Sequence, residues 1–300
     1  MKRSLALLAD RGIDVHPIPT TGPQTATALT RDALERGADL ILVAGGDGTI
    51  NEVVNGMAHS EVPLGILPAG TANVLASELG AGKTMEKAAE ALLECSEERI
   101  ALGLLSKPSG GAETRRYFLL MAGVGLDAEI VYDLNLKLKD RLGKAAYWIA
   151  GLSKIGSRLP EFIAEIDGRK YRIGFALLSR VRNYGGDMEI APSISLFEDE
   201  FEMVLFEGQS SFRYLLYMIG VGARCHGRMP GVTILRGRSA VFPAAADPRV
   251  HIQVDGEYLG TLPAKVEIVP AALTLLVPPG FRARRLAGAE PAQWTTSPTR

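Results

Sequence analysis

The sequence predicts an α/β N-terminal domain built on a Rossmann-like parallel sheet, followed by a mostly β sandwich domain. Three observations lead there. Up to about residue 100, helical and strand-like apolar patterns alternate, the order that places helices on the faces of a parallel sheet. After about Arg99 short apolar runs follow one another with turn residues between them, as in a sandwich. Within the first part, the stretch AGGDGTINEVVNG, Ala44 to Gly56, ends an apolar run in glycines and opens a helix.

Taken in order, Met1 to Arg11 reads as a helix, Gly12 to Pro19 as a strand and Thr25 to Arg36 as a helix. The apolar run Leu40 to Val43 is a short buried strand, and Ile50, Val53, Val54 and Met57 recur at helical spacing over Ile50 to Ala58. Leu64 to Leu67 is a strand, Pro68 to Thr71 a turn, Asn73 to Leu79 a helix start, and Glu86 to Glu94 a further helix. In the second part, Arg99 to Leu105 and Tyr117 to Val124 read as paired strands around a Pro/Ser/Gly turn. Helical patterns at Ala128 to Lys139 and Lys144 to Ser157 precede a hairpin, in which Glu161 to Asp167 and Lys170 to Leu178 flank Gly168-Arg169. Strand signals continue at Phe201 to Phe206, Val232 to Leu235, His251 to Val254 and Lys265 to Val269. The expected division is therefore 1–100 and 101–270, and the polar stretch 286–300 reads as a disordered tail.

Composition excludes several classes of function. The chain has 300 residues, 47% apolar and 22% charged, as ordinary globular proteins do. A net charge of −1 offers no electrostatic reason for a nucleic-acid partner. Asp10 and Arg11 end the first apolar run too early for a signal peptide. Tyr214 to Ala223 is about half the length a transmembrane helix needs. Cys95 and Cys225 are too few and too isolated for a disulfide framework, and the four histidines show no metal-ligand spacing. The cytoplasm is the expected compartment.

The glycine turn carries the chemistry. A strand that ends in glycines and opens a helix leaves unpaired backbone N–H groups at the positive end of the helix dipole, a ready site for phosphate. Gly45, Gly46, Asp47, Gly48 and Thr49 form that cradle, with Ile50, Asn51 and Glu52 beginning the helix behind it. A second turn, Ala69-Gly70-Thr71-Ala72-Asn73, also joins a strand to a helix, and parallel neighbours bring both turns to one sheet edge. Thr71 reads equally as a helix cap. A polar side chain on a glycine turn, Asp47 is expected to serve nucleotide use and contribute little to folding.

Six ordered blocks make the pattern specific. GGDGTINEVVNG and LGILPAGTANVLA are followed by MAGVGLDAEIV, LGKAAYWIAGL, NYGGDMEIAP and IQVDGEYLG. Together they resemble the diacylglycerol kinase catalytic domain of bacterial lipid kinases, relatives of sphingosine and ceramide kinases, over nearly the whole chain. The resemblance implies a fold of NAD-kinase/diacylglycerol-kinase type, with roughly Ala271 to Arg285 returning to the first domain. It implies ATP and Mg²⁺ as cofactors, a lipid substrate reached at the membrane surface, and Thr20 in the nucleotide pocket. It leaves homodimerisation open. Relatives usually begin with an apolar strand before the helix that here starts at Met1; without that strand a neighbouring one loses its partner.

The resemblance also assigns the remaining roles. Val254-Asp255-Gly256-Glu257 is by itself a hairpin turn, but the family's proton acceptor is the Glu of its matching Asp-Gly-Glu, here Glu257. With Asp47 it is the candidate catalytic pair, and Asp255 orients a neighbour or binds metal through water. The family's metal loop maps to the carbonyls of Leu196 and Phe201 and the side chain of Asp199, although its usual Asp-Gly is Asp199-Glu200 here; a solvated acidic turn is its other reading. The cluster Tyr147-Trp148-Ile149 is read as core, with a border of the acyl-chain cleft as its other reading. Two alternatives stay open: an NAD-kinase-like enzyme, and a nucleotide-binding protein without turnover.

Overall fold

The computed structural model describes residues 1–109, 112–135, 158–184 and 188–281. The first part alternates as α1 (Lys2–Asp10), α2 (Ala26–Glu35), β1 (Ile41–Gly45), α3 (Asp47–Met57), β2 (Leu64–Pro68), α4 (Val74–Leu79) and α5 (Met85–Leu92). Helix α5 starts where Thr84 accepts a hydrogen bond from the Lys87 N–H at 3.3 Å, and α4 stops at Gly80, whose φ of +66° suits glycine. The second part runs β3 (Ser96–Ser109), β4 (Ala112–Phe118), β5 (Met121–Gly125), α6 (Leu126–Asn135), β6 (Phe162–Ile166), β7 (Arg169–Ile173) and β8 (Phe175–Ser179). It continues with the short pair β9 (Asn183–Tyr184) and β10 (Met188–Glu189), then β11 (Phe201–Phe206), α7 (Ser211–Gly222) and a 3₁₀ turn at His226–Arg228. Strands β12 (Val232–Gly237), β13 (Ser239–Phe242), β14 (His251–Val254), β15 (Glu257–Thr261) and β16 (Ala264–Val277) complete it.

Two long strands join the halves. β1 and β2 are parallel, and β16 lies parallel to β2 through Leu275 and Leu64. β16 is also antiparallel to β3 from Lys265–Ser106 to Val277–Ser96, with a bulge between Val269 and Leu273. The same sheet then extends through β13, β6 and β7, so position 100 lies inside β3, within a continuous ladder. A second sheet, antiparallel throughout, has the order β12-β11-β8-β5-β14-β15.

The second sheet is buried on both faces. Phe201, Met203 and Leu205 point into the sandwich core with Phe118, Phe242 and Ile252. Val204 and Phe206 point the other way, into the core shared with Ile50, Val54, Leu75 and Leu273. The alternation of a strand thus buries both its apolar sets, and all six residues of β11 are buried.

The strand expected over Gly12 to Pro19 does not form: residues 13–20 carry no ladder hydrogen bonds, and β1 is a sheet edge with β2 as its partner among the described residues. Ile13 and Val15 pack instead on the small core of Leu8, Leu67 and Leu92. Two expected strands are each two strands. Tyr117 to Val124 breaks at Leu119-Leu120, and Lys170 to Leu178 breaks at Gly174, because at both places the chain leaves one sheet for the other. At Gly174 a Cβ would meet the Tyr214 hydroxyl at 2.6 Å and the Gly208 carbonyl at 2.7 Å, so the corner excludes a side chain. The helix expected at Lys144 to Ser157, Tyr147-Trp148-Ile149 and the C-terminal tail lie outside the described residues.

His226 gives the fold a pH dependence. It is buried, its Nε2 lies 2.9 Å from the Ile190 carbonyl as donor, and its Nδ1 has no partner among the described residues. Burial holds its pKa below the ordinary 6.5. The folded state therefore binds this proton less readily than the unfolded chain, and stability falls as pH drops from about 6.5 through the lowered value. The melting temperature should decline over that window in the wild type and decline less in His226→Gln; equal slopes would remove His226 as the cause.

A candidate active site at the junction of the two halves

The two glycine turns touch through backbone. The Ala69 N–H donates to the Gly45 carbonyl at 3.1 Å. A Cβ on Gly70 would lie 2.5 Å from the Gly46 Cα, and one on Gly46 would lie 3.1 Å from the Gly70 Cα. Glycine at both positions is what lets the turns abut, placing the first turn of α3 beside the exposed Gly70-Thr71. No side chain caps α3, so its first N–H groups remain for an anion.

Several polar residues around the turns are engaged by the fold. Asp47 accepts from the Val74 N–H at 3.1 Å and the Leu75 N–H at 3.3 Å, capping α4 from outside its own chain segment. Asp47 therefore also supports folding, against the sequence expectation; such a cap contributes about 1 kcal/mol. Glu52 accepts from the Gln24 and Ala26 N–H groups at 2.8 and 2.9 Å, capping α2. Asn73 closes its turn on itself, accepting from the Gly70 N–H at 2.8 Å and donating to the Gly70 carbonyl at 2.7 Å. Ile50 is buried and its N–H donates to the Gly46 carbonyl, so it forms core and helix. Gly48 and Thr71 are exposed and Thr49 half-buried, while Thr20 is exposed in the extended segment before α2.

Helix α3 is locked to the sandwich by amides. Asn51, 1% exposed, donates to the Tyr117 carbonyl at 3.1 Å and to Asp255 Oδ2 at 2.9 Å. Asn55 donates to the Tyr117 carbonyl and accepts from the Tyr117 N–H, both at 2.9 Å. Asp255 also accepts from the Leu119, Leu120 and Met121 N–H groups at 2.8 to 2.9 Å. Burial pushes its pKa up, and these four donors pull the other way by favouring the carboxylate. A protonated carboxyl would turn a donor toward donors, so the ionised form fits the geometry. With its acceptor sites filled, Asp255 is a junction post, with no lone pair directed at a metal.

That post aims the hairpin beside it. Asp255 and Gly256 have φ of +47° and +80°, the two left-handed residues of a tight hairpin turn between β14 and β15. Glu257 follows at once, about one-third exposed, in an ion pair with Arg116, which is 17% exposed. The pair fixes the carboxylate at the junction. Arg116 has no sequence signal beyond strand alternation in β4. Close by, Tyr132 stacks on His251 and tilts against Tyr258 with centroids 5.0 and 4.8 Å apart.

The loop expected to hold metal lies against a buried guanidinium. Arg180 is fully buried; its Nη2 donates to the Leu196 carbonyl at 2.6 Å and its Nη1 to the Glu198 carbonyl at 3.5 Å. Burial pushes its pKa down to about 10, opposed by Asp199 and Asp255, and it stays cationic at neutral pH. Phe201 is fully buried in β11, paired with Gly237 of β12. Arg236 ties the same loop through Glu198 and the Ser193 carbonyl. Among the described residues no group of three or more His, Cys, Asp or Glu is placed to hold a metal. Of the three expected ligands, the Leu196 carbonyl thus accepts from Arg180, and Asp199 lies close enough to favour that cation.

Two outcomes check these assignments. Asp255→Asn replaces an acceptor by a donor facing donors; it should cost about 3 kcal/mol or more and lower the melting temperature by roughly 6 °C or more. An unchanged melting curve would show the junction to be slack. For the loop, millimolar Mg²⁺ or a chelator should leave the nucleotide-free melting temperature within about 1 °C, since a bound ion would raise it by linkage. A metal-dependent rise of several degrees would restore a cation to the loop.

Comparison with known proteins agrees with this geometry. Residues 1–105 match the diacylglycerol kinase catalytic domain, and residues 121–277 match the YegS C-terminal NAD kinase β sandwich-like domain. The diacylglycerol kinase of Bacillus subtilis strain 168 is 30% identical over 260 residues, covering 85% of this chain and 82% of that protein. The diacylglycerol kinase of Mycobacterium tuberculosis strain CDC 1551 / Oshkosh is 28% identical over 280 residues, covering 92% and 88%. A crystal structure from Bacillus anthracis str. Sterne, of a protein assigned as a diacylglycerol kinase, has the same fold. Its TM-score is 0.77 at 20% identity, covering 93% of this chain and 91% of that one. An α/β half carrying paired glycine turns, locked to a sandwich at an Asp-Gly-Glu hairpin and matched by both family models, makes the chain a member of the diacylglycerol kinase catalytic-domain family of kinases.

Proposed function

We propose that this chain is an ATP-dependent lipid kinase that transfers the γ-phosphate to a hydroxyl of diacylglycerol or a related lipid. The observation that carries the reading is the Asn51–Asp255 hydrogen bond, which sets the helix behind the glycine turn beside the hairpin that bears Glu257. Phosphoryl transfer needs little covalent help from a protein; it needs positioning and charge stabilisation. The N–H groups at the start of α3 would receive the phosphates, with the Gly70-Thr71 turn held beside them by Asn73. The lipid hydroxyl oxygen bonds to the γ-phosphorus, the bond from that phosphorus to the β–γ bridging oxygen breaks, ADP leaves, and the hydroxyl proton passes to Glu257. Arg116 holds that carboxylate in place. Mg²⁺ enters as part of the nucleotide substrate, where it neutralises phosphate charge. No helix among the described residues is long and apolar enough to cross a membrane, so in this reading the lipid headgroup is met at the bilayer surface.

Labelled ATP and Mg²⁺ offered with extracted lipid and, separately, with NAD test the substrate class. Label should enter lipid; label entering only NAD, or neither, would overturn the reading. Glu257→Gln keeps an oxygen for Arg116 and cannot take a proton. Its turnover should fall roughly 100- to 10,000-fold with ATP affinity unchanged. A near-normal rate would place the base elsewhere.

A further inference from the structure

We infer that α7 is the surface by which this protein docks on an anionic lipid bilayer. The inference rests on the lipid-kinase reading and deepens it. Helix α7 has two apolar stripes. Tyr214, Tyr217 and Val221 are buried, and both tyrosine rings pack on Phe206. Phe212, Leu216 and Ile219 lie on the other side at i, i+4 and i+7, and remain 60%, 43% and 60% exposed. An inward stripe suffices to hold a helix on a domain; a second, solvated one needs another explanation.

Charge selects the occupant. The helix sequence SFRYLLYMIGVG contains no acidic residue. Arg158 and Arg213 are exposed at its N-terminal end, the first bridged to Ser210 and the second with its guanidinium 5.9 Å from the Tyr217 ring centre. Arg224 and Arg228 are exposed just beyond its C-terminal end. Glu207 is an exposed carboxylate near the start, and Glu189, mostly buried, lies between Arg182 and Arg224. Apolar side chains in the middle with arginines at the ends suit a helix lying in the headgroup plane, its cations reaching lipid phosphates.

Other occupants fit less well. The three side chains offer roughly 300 Å², well short of the about 800 Å² per partner of a standard protein interface. A bilayer needs no matching contour. Alternation puts α7 on the face of the second sheet opposite the sandwich core, where Phe206 meets its buried tyrosines.

The test is sedimentation with vesicles of phosphatidylcholine, with and without phosphatidylglycerol. Wild-type protein should bind the anionic vesicles and release at high salt. The exposed triple variant Phe212→Ser/Leu216→Ser/Ile219→Ser should bind about 10-fold more weakly or worse with an unchanged melting temperature. Arg213→Gln/Arg224→Gln should lose the preference for anionic vesicles. Triple-variant binding equal to wild type would overturn the inference, as would a dimer in the wild type that the variant dissociates while vesicle binding persists. Activity separates the two readings. A triple variant that is slow on vesicle lipid and normal on the same lipid in detergent micelles supports both. Vesicle binding through α7 with no lipid phosphorylated by the wild type supports the surface and ends the kinase reading.

Discussion

One buried carboxylate holds the two halves of this molecule together. Asp255 draws the Asn51 amide from the α/β half and three consecutive backbone N–H groups from the β4–β5 corner onto one residue. The corner exists because those N–H groups turn to the carboxylate and leave the ladder. The left-handed turn exists because Asp255 and Gly256 both tolerate positive φ. The position of Glu257 follows from the turn. Structural and chemical demands thus meet in one hydrogen-bonded group, and a conservative change there disturbs both.

The polar residues near the glycine turns serve the backbone around them. Asp47, Glu52 and Asn73 fold the neighbouring backbone: two cap other helices and one closes its own turn. Their engagement leaves the backbone N–H groups of α3 as the exposed donors. A phosphate meets a rigid, preformed dipole there, which lowers the reorganisation needed on binding.

Much of this was legible from residues alone, and the limits have physical causes. The glycine turn and the Asp-Gly hairpin are local: their backbone requirements are met by few residue types, so the sequence announces them. The corners at Leu119-Leu120 and Gly174 are not local. Propensity on each side says strand, and the break is imposed by Asp255, which lies 136 positions from Leu119, and by the Tyr214 hydroxyl and Gly208 carbonyl. Arg180 carried no signal, since a lone arginine in Ser-Arg-Val-Arg is ordinarily a solvated one. The contact of that guanidinium with the Leu196 carbonyl is therefore visible in the fold alone. The unformed strand at Gly12 to Pro19 has the right pattern, but Ile13 and Val15 pack on the Leu8 core, a tertiary choice no window of sequence reports.

The ladder between β3 and β16 has a consequence for synthesis. β2 reaches its partner in β16 only across about two hundred residues, so the sheet that carries the glycine turns stays incomplete until nearly the whole chain has left the ribosome. Until then β1 and β2 form a two-stranded ribbon with apolar faces and an open edge, the kind of nascent intermediate that chaperones shield. The paired glycine turns therefore cannot settle before the sandwich does. An unfinished chain has no finished α/β half to present them.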